Sequence, residues 1–189
     1  MKRLVILASG SGSNAENIIN HFQNHPSISI GSVISNRKDA FVLERAKKLN
    51  IPHVYFPKKA FFEDNLVLPY LLENADYVIL AGFLLKIPEN IVNAFPNRII
   101  NIHPALLPKF GGKGMYGMHV HRAVKTQGET ETGITIHYVN EEYDEGATIF
   151  QATTPVLKTD SPEAIAANIH ALEGLHFPRV IEETVFGNE

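Results

Sequence analysis

A chain of 189 residues, 44% hydrophobic and 20% charged, has the length of one domain and the apolar content to bury a core without staples. It contains no cysteine, which excludes a disulfide framework and thiolate chemistry and suits a reducing compartment such as the cytoplasm. A net charge of −3 with scattered cations argues against an extended nucleic-acid footprint, and no apolar run approaches the ~20 residues of a membrane helix.

The opening "MKRLVILASG" has two cations and an apolar run, but Leu4 to Ala8 falls short of the ~7–15 residues of a signal-peptide h-region. "RLVILA" reads instead as a strand buried on both faces. After a Gly/Ser turn, Ala15, Ile18, Ile19 and Phe22 recur at helical spacing. "SIGSVIS" is the second strand, and Val42, Ala46 and Leu49 line the next helix. "HVYF" is a third strand and "YVILAGF" a fourth, separated by a less regular helix interrupted by Pro69. "RIINIH" is the fifth. This alternation predicts a parallel sheet with right-handed crossovers and helices on both faces. "LLPKFGGKGMYGMHVH" then reads as a long functional loop or lid. "TGITIHYVN" and "ATIFQATTPV" form an antiparallel pair joined by the acidic "EEYDEG". The last helix opens at Ser161-Pro162, an N-cap with proline at the first helical position, and carries Ile165, Ile169 and Leu172 on its apolar face.

Two places in this pattern carry chemistry. In "ASGSGSNA" the first strand hands over to the first helix, and Gly10-x-Gly12-x-x-Ala15 fits the dinucleotide fingerprint, in which glycines permit close backbone approach and the helix N-terminus holds phosphate. No acid follows at the end of the second strand until Asp39, whereas a dinucleotide site commonly places one ~20 residues on. The hydroxyls of Ser9, Ser11 and Ser13 suit a single phosphate held by N–H and O–H groups, with Gly12, Ser13 and Asn14 as its contacts. An empty tight turn, or an NADP site using Arg37, are the alternatives.

The second place is "RIINIHPALLPKF". Strand alternation puts Ile100 and Ile102 on one face and Asn101 and His103 on the other, and Pro104 ends the strand. Two polar side chains therefore share the carboxyl end of a strand, where open α/β sheets bind ligands. A histidine used in proton chemistry needs a carboxylate to orient it, and Glu141, Glu142, Asp144 and Glu145 are all available. An Asn amide beside it suits a developing oxyanion; a pair satisfied by hydrogen bonds to loop backbone is the blander alternative. No Ser or Cys presents itself as a nucleophile, so the substrate supplies its own. His119 and His121, with His103 and an acid, form a rival metal constellation; a lid or surface pair is the blander reading.

"SGSGSN", "AGF", "NIHPALLP", "HVH", "TGITIHYVNEEYDEG" and Glu173 followed by "FP" occur in this order, and in this the chain resembles the phosphoribosylglycinamide formyltransferases from about residue 3 to 180. The resemblance implies a single Rossmann-like α/β domain over 1–189, with a phosphate-binding βα half (1–100) and a catalytic and folate-site half (101–189). It implies transfer of a formyl group from 10-formyltetrahydrofolate, as co-substrate, to the amine of 5'-phosphoribosylglycinamide in purine synthesis. The length leaves room for neither the extra carboxyl-terminal domain of methionyl-tRNA formyltransferases nor the extra amino-terminal one of formyltetrahydrofolate deformylases.

Carried over by position, the resemblance makes Asn101, His103 and Asp144 catalytic, with Asn101 also at the folate. It assigns Gly12, Ser13 and Asn14 to the phosphate and Glu173 to the glycinamide. It gives Leu84, Leu85, Lys86 and Ile87 to the pterin, through backbone. Asp144 would keep a protonated His103 cationic and oriented against the oxyanion. No metal, nicotinamide, nucleic acid or membrane is implied, and the protein is a monomer or homodimer. Two departures stand out: Leu85 occupies a position where relatives often carry Arg, with the cation moved to Lys86, and "NLVL" lacks an Arg for the folate tail, leaving Lys58 and Lys59. The loop "GGKGMYGM" is longer than in many relatives, with Lys113 and Tyr116 as lid candidates. Formyltetrahydrofolate hydrolysis on the same fold, an NADP-binding oxidoreductase and a silent ligand-binding module are the competing functions.

Overall fold

β1 (Lys2–Leu7) buries Leu4 to Leu7 completely, as a strand covered on both faces requires. It pairs in parallel with β2 (Ile28–Ser35) on one side and β4 (Tyr77–Leu80) on the other; β3 (His53–Tyr55) joins β2 and β5 (Ile99–His103) joins β4, also in parallel. β6 (Glu131–Tyr138) and β7 (Thr148–Pro155) are antiparallel, and the strand order is β3-β2-β1-β4-β5-β6-β7. This is the mostly parallel α/β sheet with antiparallel carboxyl-terminal strands that the sequence predicts. The computed structural model describes residues 1–187, so the last two residues of the expected 1–189 domain lie outside it. Two compact units make up the chain, one from Met1 to Asn101 and one from Ile102 onward.

In the first unit the order of connections reverses between β1 and β4, a topological switch point of the kind that holds ligands. α1 (Ser13–Phe22) buries the four residues its periodicity singles out, Ala15, Ile18, Ile19 and Phe22. α2 (Phe41–Lys48) buries Val42 and Ala46, with Leu49 half-buried at its end. The interrupted helix is in fact two, α3 (Lys58–Phe62) and α4 (Val67–Asn74). Pro69 sits in the first turn of α4, where no intrahelical N–H is needed. The break falls earlier, around Asn65 with its φ of 49°. α5 (Glu89–Ala94), absent from the sequence reading, is six residues long and buries only Ile91, too little to show a period.

In the second unit β6 is buried along most of its length while β7 alternates between exposed and half-buried residues. α6 (Met118–Thr126) begins inside the stretch read as loop, so the loop ends at Gly117 and His119 and His121 are helical. α7 (Pro162–Gly187) packs on α6, β6 and β7. The Ser161 hydroxyl accepts the Ala164 N–H at 3.2 Å, the cap its sequence announces. Ile165 and Ile169 are buried as expected, Leu172 half-buried. Among the described residues no helix is long and apolar enough to cross a membrane.

Phe177 is fully buried on α7 while Leu175, two residues earlier, is 69% exposed. Phe177→Ala is expected to lower the unfolding free energy by about 3–5 kcal/mol and Leu175→Ala by no more than about 0.5 kcal/mol. Urea denaturation of both variants checks the pair; similar losses would contradict the packing of α7.

Candidate active site

The turn after β1 is shaped from behind by α2. Gly12 takes φ 76° as the N-cap of α1, and a Cβ there would collide with Val42, so conformation and space both demand glycine. The Gly10 carbonyl accepts the Val42 N–H at 3.1 Å, and the Ser11 carbonyl accepts Arg45 Nε–H at 2.8 Å. In a planar trans peptide the N–H points opposite to its C=O. The Ser11 and Gly12 N–H groups are therefore directed away from α2. Arg45 is itself held by Glu16 and lies over the Phe41 ring, 5.0 Å from its centroid. With no side chain at the N-cap, the first turn of α1, containing Ser13 and Asn14, has the helix-terminus geometry that favours negative charge.

Of the hydroxyls expected there, Ser11 and Ser13 are exposed. Ser9 is not available: its hydroxyl is buried and bonded to Asn36 and to the Leu84 N–H. Arg37, the residue an NADP reading needs, is exposed and 3.5 Å from Asp39. Leu84 to Ile87 form an irregular segment after Gly82, with Leu84 exposed and Ile87 buried. Lys59 pairs with Asp64 at 3.3 Å, and Lys58 lies over the Phe62 ring.

Along β5, Asn101 is half-buried and His103 is 4% exposed. His103 Nε2 lies 2.7 Å from the Phe110 carbonyl, which only accepts, so Nε2 carries a proton. Its Nδ1 is 3.5 Å from Asp144 Oδ2. Of the four acids near the end of β6 the fold thus brings Asp144 to the histidine. Asp144 holds φ 57°, its Oδ2 also accepts the Gly112 N–H at 2.9 Å, and its Oδ1 is 3.7 Å from His137 Nε2. Two residues on, a Cβ at Gly146 would collide with the Tyr138 carbonyl, which accounts for glycine after Asp144-Glu145.

Burial raises the Asp144 carboxyl's pKa, but His137, His103 and the Gly112 N–H together outweigh it and hold the group below its usual value. Burial pushes the His103 imidazole down, and Asp144 and the Phe110 carbonyl recover only part of that shift. The standing imidazolium that the resemblance implies is therefore disfavoured in the free protein, because the carboxylate is too weak a counter-charge to offset desolvation.

Glu173 is buried on α7, its Oε2 3.0 Å from His170 Nδ1. That pairing raises the His170 pKa, and the Glu173 charge acts on His103 and His121 as well. His121 is buried, whereas His119 is exposed and stacks edge-on with Tyr116. Residues two apart on a helix do not face one another, so the H-x-H pair does not converge. Among the described residues no three His, Cys, Asp or Glu are grouped to hold a metal ion.

Sequence reasoning missed His137 and Thr135. Thr135 is fully buried; its hydroxyl donates to the Ala105 carbonyl at 2.7 Å and accepts from the Leu107 N–H and Gln151 Nε2. This fixes the chain as it leaves β5. The signal was available: Ile134-Thr135-Ile136-His137 repeats the apolar-polar alternation that singles out Asn101 and His103.

Residues 2–181 match the formyl transferase family. The chain is 43% identical over 181 residues to the chloroplastic phosphoribosylglycinamide formyltransferase of Arabidopsis thaliana, covering 89% of this chain and 60% of that one. It is 38% identical over 189 residues to the phosphoribosylglycinamide formyltransferase of Haemophilus influenzae, covering 96% and 86%. Among solved structures, glycinamide ribonucleotide transformylase 1 from Symbiobacterium toebii superposes with a TM-score of 0.90 at 34% identity, covering 99% of this chain and 89% of that one. The chain thus spans 60% of the length of the plant relatives that it matches. With a family match along nearly its whole length and a bacterial relative covered almost end to end, the chain belongs to the formyl transferase family.

Proposed function

We propose that this chain transfers the formyl group of 10-formyltetrahydrofolate to the amine of 5'-phosphoribosylglycinamide, giving formylglycinamide ribonucleotide and tetrahydrofolate. The observation that carries this reading is the buried His103 held between Asp144 and the Phe110 carbonyl at the end of β5, one residue removed from Asn101. The names of the bacterial and plant relatives support phosphoribosylglycinamide as the formyl acceptor. The cysteine-free composition suits action in the cytoplasm, as a monomer or homodimer.

The amine attacks the formyl carbon and negative charge collects on the formyl oxygen. Asn101 and His103 receive that charge. In the free protein the His103 Nε2–H is given to a neutral carbonyl; exchanging it for an oxyanion makes a stronger, charge-assisted bond. The same charge offsets the desolvation that disfavours the protonated ring, so a proton taken from solvent onto Nδ1, against Asp144, is held more firmly as the oxyanion forms. Asp144 supports it from the Nδ1 side. The amine's proton then passes to the folate nitrogen, directly or through water, and the intermediate collapses. Gly12, Ser13 and Asn14 take the phosphate through the open end of α1, Glu173 takes the glycinamide, and the backbone of Leu84 to Ile87 takes the pterin. Lys113 and Tyr116, exposed on the loop that Asp144 anchors through Gly112, serve as lid residues.

An absorbance assay following 10-formyltetrahydrofolate, with and without phosphoribosylglycinamide, tests the reaction. Consumption that requires the nucleotide is expected; consumption without it would identify a hydrolase instead. His103→Ala is expected to lower kcat by about 100- to 1,000-fold, the scale of losing an oxyanion donor, with the KM for the nucleotide preserved. Turnover near that of the unaltered enzyme would remove His103 from the mechanism.

Asp144 also makes a pH-dependent contribution to stability. A carboxyl whose folded pKa is depressed stabilises the fold above its unfolded pKa, about 3.9, and loses that contribution as pH falls through the folded value. The stability difference between the unaltered protein and Asp144→Asn is therefore expected to narrow as pH drops below about 4. Urea unfolding of both proteins from neutral to acid pH measures it, and a pH-independent difference would contradict the lowered pKa.

A further inference from the structure

Ser9 belongs by sequence to the hydroxyl-rich phosphate turn, yet its polar atoms are engaged elsewhere. The residue is 1% exposed. Its N–H donates to the Gly82 carbonyl at 3.0 Å, its hydroxyl donates to Asn36 Oδ1 at 2.6 Å, and the same oxygen accepts the Leu84 N–H at 2.9 Å. A hydroxyl has one proton, and here Asn36 takes it, so none remains to donate to a phosphate. The three partners follow β2 and β4, the two neighbours of β1, at the carboxyl ends of the strands.

The bond to Leu84 has a particular consequence. Leu84 opens the segment Leu84 to Ile87, which leaves the sheet after Gly82 at φ 76° and has no helix or strand of its own before α5. Its N–H goes to a side chain rather than into regular secondary structure, so the hydroxyl of Ser9 determines where the segment begins. Asn36, by holding the hydroxyl proton, turns the oxygen lone pair toward Leu84.

We propose that Ser9 is a positioning residue for the folate co-substrate, acting through Leu84, and not a phosphate ligand. The proposal rests on the reading of Leu84 to Ile87 as the pterin-binding backbone. It separates two roles that lie side by side in sequence: the peptides of Gly10 to Asn14 serve the anion, while the serine just before them sets the segment for the other substrate.

Steady-state kinetics of Ser9→Ala with each substrate varied in turn test this. The variant is expected to raise the KM for 10-formyltetrahydrofolate about tenfold, the scale of one lost buried hydrogen bond, and to shift the KM for phosphoribosylglycinamide less than about twofold. Asn36→Ala, at a half-buried position, is expected to move the folate KM in the same direction by a smaller factor, and it carries the test if Ser9→Ala does not fold. A rise confined to the nucleotide, an equal rise for both substrates, or no change would overturn the proposal. Amide exchange of residues 84–87 in the unaltered protein, with and without tetrahydrofolate, separates the two levels. Protection there with an unmoved folate KM in the variants defeats the role of Ser9 alone; no protection defeats the pterin assignment and the proposal together.

Discussion

The Asp144 carboxylate is the constraint around which the second unit's polar centre is organised. It is mostly buried, and a carboxylate out of water survives only when its lone pairs are engaged. Here a backbone N–H from Gly112 takes one oxygen, and two imidazoles, those of His103 and His137, stand against the group. Every one of these partners is therefore committed by the same charge: the loop that carries Gly112, the end of β5, and the face of β6. The carboxylate reaches this position from a residue in left-handed backbone, followed two residues later by a glycine without room for a Cβ. The acidic loop between β6 and β7 thus has its shape dictated at two points, at Asp144 and at Gly146.

Such a centre also limits how strongly charge can be stored in it. His103 has a carboxylate on one ring nitrogen and a carbonyl on the other, an arrangement that favours the cation, yet burial removes more than these acceptors restore. The ring is thereby left responsive to the next negative charge that appears near it. A fully exposed histidine would already be solvated in either state and would gain little from a developing oxyanion; a fully compensated one would be cationic in advance. The buried pair with an engaged but insufficient counter-charge lies between these limits.

How far this was legible in the sequence depends on the physical range of each signal. The apolar periods of α1 and the runs of β1, β2 and β5 are local, and they appear where the pattern puts them. Alternation along β5 was enough to put Asn101 and His103 on one face of the strand. It could not select Asp144 from four neighbouring acids, because that choice is made by a bond to Gly112, 32 residues away, and by the loop's backbone. α6 escaped detection because its buried face is Val120, His121 and Val124: a histidine in the stripe and glycines before it hide the period. Pro69 misled for the opposite reason, since proline signals a break only beyond the first helical turn. Ser9 was misread because composition shows a hydroxyl but not its partners.

The two polar centres also differ in what evolution can change without losing them. At the turn after β1 the donors are peptide N–H groups, oriented because Val42 and Arg45 hold the carbonyls on the other side. Side chains matter there mainly where they are absent, as at Gly12, and exposed Ser11 and Ser13 are free of packing demands. In the second unit the donors and acceptors are side chains, and their chemistry comes from burial as much as from identity. Replacing Asp144 or His103 by a polar residue of similar size would preserve the volume and leave the remaining partner buried without its counter-charge or its hydrogen bond. A turn built on backbone N–H groups thus tolerates change at its exposed serines though not at Gly12, whereas the buried imidazole-carboxylate centre tolerates change only in what surrounds it.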